Sequence, residues 1–138
     1  MVNDTWDAVY TEMLVPWLGV LADVRREFVP VAELKDLTTL TISVLATGEI
    51  VERLTRTAFV RRPEIRIVVQ QRVATENEKQ DLLDLCDAIV THFLDNPAGV
   101  ASVATCLQAE KNPLFSSEHL EQYRVFASVI VLRYRGRT

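Results

Sequence analysis

The side chains that most often carry out catalysis or bind metal ions are few and scattered in this sequence. His92 and His119 are the only histidines, and neither has cysteine or carboxylate neighbours at the spacing of a metal site. Cys86 and Cys106 are the only cysteines, so we expect buried, reduced thiols rather than a disulfide framework. The four glycines do not form a phosphate-binding loop. The sequence therefore predicts no catalytic residue, no metal site and no cofactor, and we expect that the protein is not an enzyme.

Arginine is the residue type whose number and placement stand out. Arginine outnumbers lysine twelve to three, although the net charge of the chain is -4. The planar guanidinium forms fixed, bidentate contacts, and arginine is enriched where proteins meet. A first group lies in the irregular middle of the chain: Arg53, Arg56, Arg61 and Arg62. A second group lies on two predicted strands and at the C-terminus: Arg66, Arg72, Arg133, Arg135 and Arg137.

Acidic side chains are concentrated on one face of a predicted helix. They are Glu76, Asp81, Asp84 and Asp87. Acidic residues near a helix N-terminus interact favourably with the helix dipole, so one interpretation is a solvated outer face. The other interpretation is a surface that meets the arginines of a neighbouring copy. The basic groups could also touch phosphate, but the acidic total and the lack of a nucleic-acid-binding motif exclude sequence-specific recognition.

Alternating apolar and polar residues predict the strands that position these charges. The clearest runs cover residues 40–46, ending at Thr47-Gly48, and residues 64–73. A long final strand begins at Tyr123, and both of its faces are apolar, which predicts a central strand whose basic end leaves the core. Weaker patterns indicate two further strands, within residues 20–29 and near residues 103–109.

Two segments have the periodicity of helices. Apolar residues recur at helical spacing from Trp6 to Trp17, with Asp4 or Thr5 as the expected cap. A capping box at residues 75–78 begins the second helix, whose broad apolar stripe should pack on the sheet. The chain is therefore expected to form a single α+β domain over residues 1–138. Its antiparallel or mixed sheet of about four to five strands packs against two main helices.

Residues 48–63 show neither the alternation of a strand nor the apolar spacing of a helix. They hold the first arginine group among scattered apolar residues, between two predicted strands. We interpret this segment as an extended loop or a hairpin arm. A connection of this length in a compact domain usually has a function.

Three stretches, in order, resemble a known family. They are NPLFSSEHL followed by RVFASVIVLRYR at the C-terminus, LTTLTISVLATG from Leu37, and EIRIVVQQRV from Glu64 leading into the acidic helix. This pattern, over roughly residues 29–138, resembles small bacteriophage and prophage tail-completion or neck proteins, of the lambda-type tail terminator class. The resemblance implies a homohexameric ring at the head-proximal end of the tail tube. Such a ring ends tube polymerisation and joins the tail to the head connector.

The resemblance also implies the partners. They are further copies of the chain, the tail tube protein and a connector or stopper protein, with non-specific contact to DNA in the lumen. The arm would point into the lumen or onto the tube. We expect assembly in the host cytoplasm and a final place in the virion, since no apolar run has the length of a membrane span. Two alternatives stay open: a head-closure or stopper ring of the neck, and a non-viral adaptor or regulatory domain.

Overall fold

The computed structural model describes residues 2–14, 23–26, 40–73, 75–95, 97–111 and 125–136. These residues form three helices and five strands. In chain order they are α1 (Val2–Met13), β1 (Asp23–Arg26), β2 (Thr41–Arg53), β3 (Phe59–Arg72), α2 (Glu76–Leu94), α3 (Ala98–Ala101), β4 (Ala104–Lys111) and β5 (Val125–Gly136). The predicted α+β class, with four to five strands and two main helices, is confirmed. The family motif at residues 112–120 lies outside the described residues.

The five strands form one sheet in the order β1-β2-β3-β5-β4. β1 runs parallel to β2, and the other three pairings are antiparallel, so the sheet is mixed. The two weakly predicted strands are present as β1 and β4. β5 lies between β3 and β4, and residues of both its faces are buried, as the apolar character of both faces predicts.

The core lies between one face of the sheet and the two long helices. α1 packs on β2 and β3, whereas α2 packs on β4 and β5. Alternate strand residues point into this core and are almost fully buried: Ile42, Val44, Ile65, Ile67, Val69, Phe126, Ile130 and Leu132. The indole N–H of Trp6 donates a hydrogen bond to the backbone oxygen of Val44, at 2.8 Å. A polar group buried in this way needs such a partner, and the bond fixes α1 against β2.

The ends of α1 and of the strands differ from the sequence predictions. α1 begins at Val2, so Asp4 and Thr5 lie inside it rather than capping it, and Thr5 is fully buried. The strand expected to stop at Thr47-Gly48 continues to Arg53. β3 begins at Phe59 rather than Glu64, because the two strands stay paired through the middle segment.

The basic end of β5 also stays in the sheet, contrary to the prediction. β5 pairs with β4 as far as Gly136, and Tyr134 is fully buried. Successive strand side chains point to opposite faces, so Arg133 and Arg135 reach the outer face while Tyr134 packs in the core. A basic strand end is therefore compatible with burial on the other face.

The start of α2 follows the predicted capping box. The side-chain oxygen of Thr75 accepts a hydrogen bond from the backbone N–H of Glu78, at 3.2 Å. This bond satisfies one of the donors that a helix N-terminus leaves unpaired. The helix ends at Leu94, with Asp95 as its C-cap, and buries one stripe on the sheet: Leu82, Leu85, Cys86, Ile89 and Phe93.

We expect Thr75→Ala to lower the free energy of unfolding by about 1 kcal/mol, since it removes this cap. Urea titration should show a lower midpoint with an unchanged slope. Thr91→Ala, at an exposed position of the same helix, is the matched control and should not lower the midpoint, since alanine has the higher helix propensity. Equal midpoints for Thr75→Ala and Thr91→Ala would show that the cap does not stabilise the fold.

Candidate interaction surface

The middle segment forms a two-stranded hairpin that leaves the sheet, which we call the arm (residues 48–63). The pairing of β3 with β5 ends at Glu64 and Arg133. Pro63, which precedes Glu64 in β3 and lies on the arm side of it, has no N–H to donate to a neighbouring strand. β2 and β3 nevertheless stay paired as far as Arg53 and Phe59. Of the two alternatives left open by the sequence, the segment is thus the hairpin and not an irregular loop.

A β-bulge marks the base of the arm. The register of β2 against β3 shifts between Ala46 and Gly48, which leaves Thr47 as the extra residue. The Thr47 hydroxyl donates to a carboxylate oxygen of Glu64 across the strands, at 2.9 Å. A bulge reverses the in-and-out alternation of its strand and increases the local twist. Residues beyond Thr47 therefore change faces relative to the regular part of β2.

The tip of the arm has a defined conformation. The backbone N–H of Leu54 donates to the backbone oxygen of Ala58, at 2.9 Å. The Thr55 hydroxyl accepts from the backbone N–H of Ala58, at 3.1 Å. Arg53 donates to the backbone oxygen of Arg56, at 2.9 Å, and its guanidinium lies 4.9 Å from the centre of the Phe59 ring. These contacts pre-organise the tip, which lowers the entropic cost of binding through it.

Two of the four predicted arm arginines are paired within the arm itself. Arg61 lies 2.9 Å from Glu49, and Arg62 lies 3.4 Å from Glu52. Each pair joins the two strands, and the strand register places the pairs on opposite faces of the hairpin. Arg53 and Arg56 lie at the tip instead, so the remaining basic character of the arm is concentrated there.

The scattered apolar residues of the arm are mostly exposed. Four of the seven exposed large apolar residues in the described part of the chain lie here: Ile50 (60%), Val51 (48%), Leu54 (58%) and Phe59 (46%). They gave no periodic signal because the bulge and the turn interrupt the alternation. Successive residues of a strand point to opposite faces, so Ile50 and Val51 expose apolar surface on both faces of the arm. Several exposed large apolar side chains on one small protruding element mark an interaction site. The arm is therefore an apolar surface with arginines at its tip.

The second arginine group divides when the chain folds. Arg133 lies between Glu110, at 3.0 Å, and Glu64, at 3.6 Å, and Arg66 lies 3.8 Å from Glu64. These four side chains form a charged ladder across β3, β5 and β4, on the face opposite the helices. Two further arginines, Arg72 and Arg135, are exposed and stand apart from this ladder, and Arg137 lies outside the described residues.

The acidic residues of α2 are all exposed, on the helix side of the sheet: Glu76, Asp81, Asp84 and Asp87. Part of their charge is offset locally. Glu76 pairs with Lys79, at 2.8 Å, and Asp87 pairs with Lys111 of β4. The acidic face and the charged ladder thus lie on opposite sides of one sheet. A contact between them would have to join two copies of the chain.

A groove of about 320 Å³ opens where the arm separates from β5. Its walls are the base of the arm on one side and the paired ends of β4 and β5 on the other. It is lined by Gly48, Glu49, Ile50, Arg62, Pro63, Glu64, Leu107, Gln108, Arg133 and Tyr134. Sequence reasoning could not find this groove, because its walls come from strands that are distant in the chain.

Two polar atoms of the groove residues are buried without a hydrogen-bond partner in the described structure. They are the Tyr134 hydroxyl and the Oε2 atom of Glu49. Burial raises the pKa of the Tyr134 hydroxyl well above its ordinary value, so this group is neutral and can donate a hydrogen bond. Buried polar groups are usually paired, and an unpaired one requires an explanation.

The remaining candidate residues take structural positions. Cys86 and Cys106 are buried free thiols, as predicted, and burial raises the pKa of Cys86 to about 11. His92 lies 2.5 Å from Glu12 and so joins α2 to α1. Within the described ranges, no three His, Cys, Asp or Glu side chains are grouped to hold a metal ion. No helix in this part of the chain has the length and apolar character needed to cross a membrane.

No protein-family model and no curated protein matches the sequence.

The cross-strand ion pairs of the arm generate a prediction. Arg61→Glu places a second carboxylate beside Glu49, so the arm should open more readily and its amides should exchange faster. Exposed pairs contribute about 0.2–1 kcal/mol, so we expect at most about 5-fold faster hydrogen exchange, confined to the arm. Adding Glu49→Arg restores an opposite-charge pair and should restore slow exchange. The control is Arg56→Glu at the tip. If Arg56→Glu accelerated exchange as much as Arg61→Glu, the pairing with Glu49 would not hold the arm together.

Proposed function

We propose that this protein is a structural subunit that assembles head-to-tail into a ring through its arm. The observation that carries the proposal is the arm itself, an ordered hairpin that exposes four large apolar side chains away from the core. A two-stranded hairpin buries little apolar surface by itself, and of the large apolar side chains of the arm strands only Val60 is buried in the described structure. Burial of this surface requires a partner, and a subunit of an assembly provides one.

Each subunit carries two different surfaces, as a head-to-tail ring requires. The arm leaves the sheet at one end only, and the acidic face of α2 and the charged ladder lie on opposite faces. A head-to-tail contact joins two different surfaces of the same subunit, and a closed ring results when the rotation between copies closes. Charged surfaces of this kind set register and reject wrong partners, while apolar contacts provide most of the affinity.

The place of the ring follows from the resemblance to tail-completion proteins. We propose a non-catalytic tail terminator in the virion, at the head-proximal end of the tail tube. It would end tube polymerisation and join the tail to the head connector, without a cofactor. Its partners are further copies of itself, the tail tube protein and a connector or stopper protein. Arg53 and Arg56 at the arm tip are the residues best placed for non-specific contact with DNA in the lumen.

Electron microscopy of the purified protein tests this function most simply. We expect rings, hexameric by the resemblance, and binding of these rings to one end of isolated tail tubes. Rings that bind only the head connector would favour the alternative of a head-closure or stopper ring. A protein that stays monomeric at high concentration and does not bind tubes would overturn the proposal and favour an adaptor domain.

The apolar arm surface generates a mutational prediction. Leu54→Asn should weaken self-association roughly 10- to 100-fold, because burying a leucine contributes about 1.5–3 kcal/mol. The fold should be unaffected, since Leu54 is 58% exposed. The matched control is Leu14→Asn, which alters an equally exposed leucine (54%) next to α1. Sedimentation velocity over a concentration series measures both. Equal association of the two variants would exclude the arm as the assembly surface.

A further inference from the structure

The groove at the base of the arm has features of a docking site for a side chain. Its rim is apolar, because Ile50 and Leu107 line it and are both more than half exposed. Tyr134, which is fully buried, also lines it and has an unpaired hydroxyl. Glu49 contributes an unpaired carboxylate oxygen beside the one that binds Arg61. An occupant that fits would combine an apolar side chain with hydrogen-bond donors.

The charges of the groove limit the occupant further. Two glutamates and two arginines line it, so its formal charge is zero. This balance gives no net attraction for a strongly acidic or strongly basic segment. The atom without a partner is a carboxylate oxygen, which accepts a hydrogen bond from a guanidinium especially well. A mainly apolar segment with one or two arginines is therefore the best match.

The tip of the arm has this composition. It exposes Leu54 and Phe59 next to Arg53 and Arg56, with no acidic residue between positions 53 and 59. The other exposed large apolar residues outside the arm and groove, Leu14 and Leu94, lie singly at helix ends. Among the described surfaces outside the groove and the base of the arm, the arm tip is the one that combines exposed large apolar side chains with arginine.

The arm tip does not reach the groove of its own subunit. Glu49 at the base and Leu54 at the tip are five residues apart along an extended strand, roughly 17 Å at 3.3 Å per residue. The cross-strand pairing from Glu49 to Arg53 keeps the arm extended. The tip of one copy can therefore enter only the groove of another copy. Each copy has one tip and one groove, so the contact can repeat head-to-tail as the proposed ring requires, whereas reciprocal exchange of two arms would stop at a two-fold dimer.

We propose that the arm tip of one subunit, with Leu54, Phe59 and Arg56, occupies the groove between the arm base and the β4–β5 end of the next. This inference rests on the proposed ring and identifies its subunit contact. The tip is already ordered by Thr55 and Arg53, so docking orders few additional residues. At the groove, the Glu49 carboxylate oxygen that lacks a hydrogen-bond partner is the acceptor for the incoming arginine, whereas the Tyr134 hydroxyl stays buried in the core.

Mixing two assembly-defective variants tests this contact. Leu54→Asp damages the tip and leaves the groove intact, whereas Leu107→Asp damages the groove rim and leaves the tip intact. Each variant alone should be monomeric, since each lacks one half of the contact. An equimolar mixture retains one intact tip and one intact groove per pair, so it should form heterodimers and nothing larger. Multi-angle light scattering reports the mass of each species.

The outcomes separate this inference from the proposed function. If wild-type protein forms rings and Leu107→Asp does so equally well, the groove is not the acceptor, although the ring proposal stands. A mixture that stays monomeric, or that forms full rings, also overturns the contact. If the wild-type protein itself never associates, the ring proposal fails, and this inference fails with it.

Disulfide trapping distinguishes the groove from the acidic face of α2 as the acceptor. Thr57→Cys marks the tip, Gln108→Cys marks the groove, and Asp84→Cys marks the acidic face, all at exposed positions. A mixture of Thr57→Cys and Gln108→Cys should form a disulfide-linked dimer under mild oxidation, at least 10-fold faster than Thr57→Cys with Asp84→Cys. The native cysteines are buried and should not contribute. Faster linkage to Asp84→Cys would assign the acceptor to α2 and overturn the groove contact.

Discussion

The architecture depends on where one strand stops pairing with its neighbour. β3 pairs with both β2 and β5 through the body of the sheet and loses β5 at Pro63, while its pairing with β2 continues. From that point the hairpin pairs with no third strand within the described part of the chain. Backbone hydrogen bonds between β2 and β3 hold the arm together. Four of its large apolar side chains remain exposed and Val60 is buried, because a two-stranded ribbon buries little surface by itself.

The same separation of strands creates both halves of the proposed contact. Because the arm diverges from β5, its tip projects outward and a groove opens at its base. The ion pairs of Arg61 and Arg62 stiffen the arm, and the turn contacts of Thr55 fix its tip. Affinity would then come from apolar burial, and the charges would mainly fix the geometry of each subunit. This differs from the simplest view of the sequence, in which arginines on an arm meet acidic residues on a helix.

Local patterns predicted much of the fold. The alternation at residues 40–46 and 64–73 marks strands because one face of each is buried, and the capping box marks the start of α2. The extent of β2 could not be predicted, because the extra residue at Thr47 breaks the alternation and is indistinguishable from a strand end. The prediction that the basic end of β5 leaves the core is wrong for a related reason. Its arginines lie on the outer face, while Tyr134 between them is buried.

The candidate surface was harder to predict than the fold. Arg61 and Glu49 are twelve residues apart in the chain, so their pairing depends on the register of β2 against β3. The groove requires residues of β2, β3, β4 and β5 to come together. Neither follows from periodicity, which reports only on local structure. The arginine count did draw attention to residues 48–63. The sequence does not show that the apolar side chains there are exposed, because their exposure depends on how the hairpin protrudes from the sheet.

Hydrogen exchange of the wild-type arm at increasing protein concentration tests the central claim most directly. If the arm is buried against another copy, amides of residues 48–63 and of the β4–β5 end should become protected together as concentration rises. Amides in the middle of β3, already covered on both sides by β2 and β5, should not change. Arm protection that is the same at every concentration would show that the arm does not bind a second copy, and the account would be wrong.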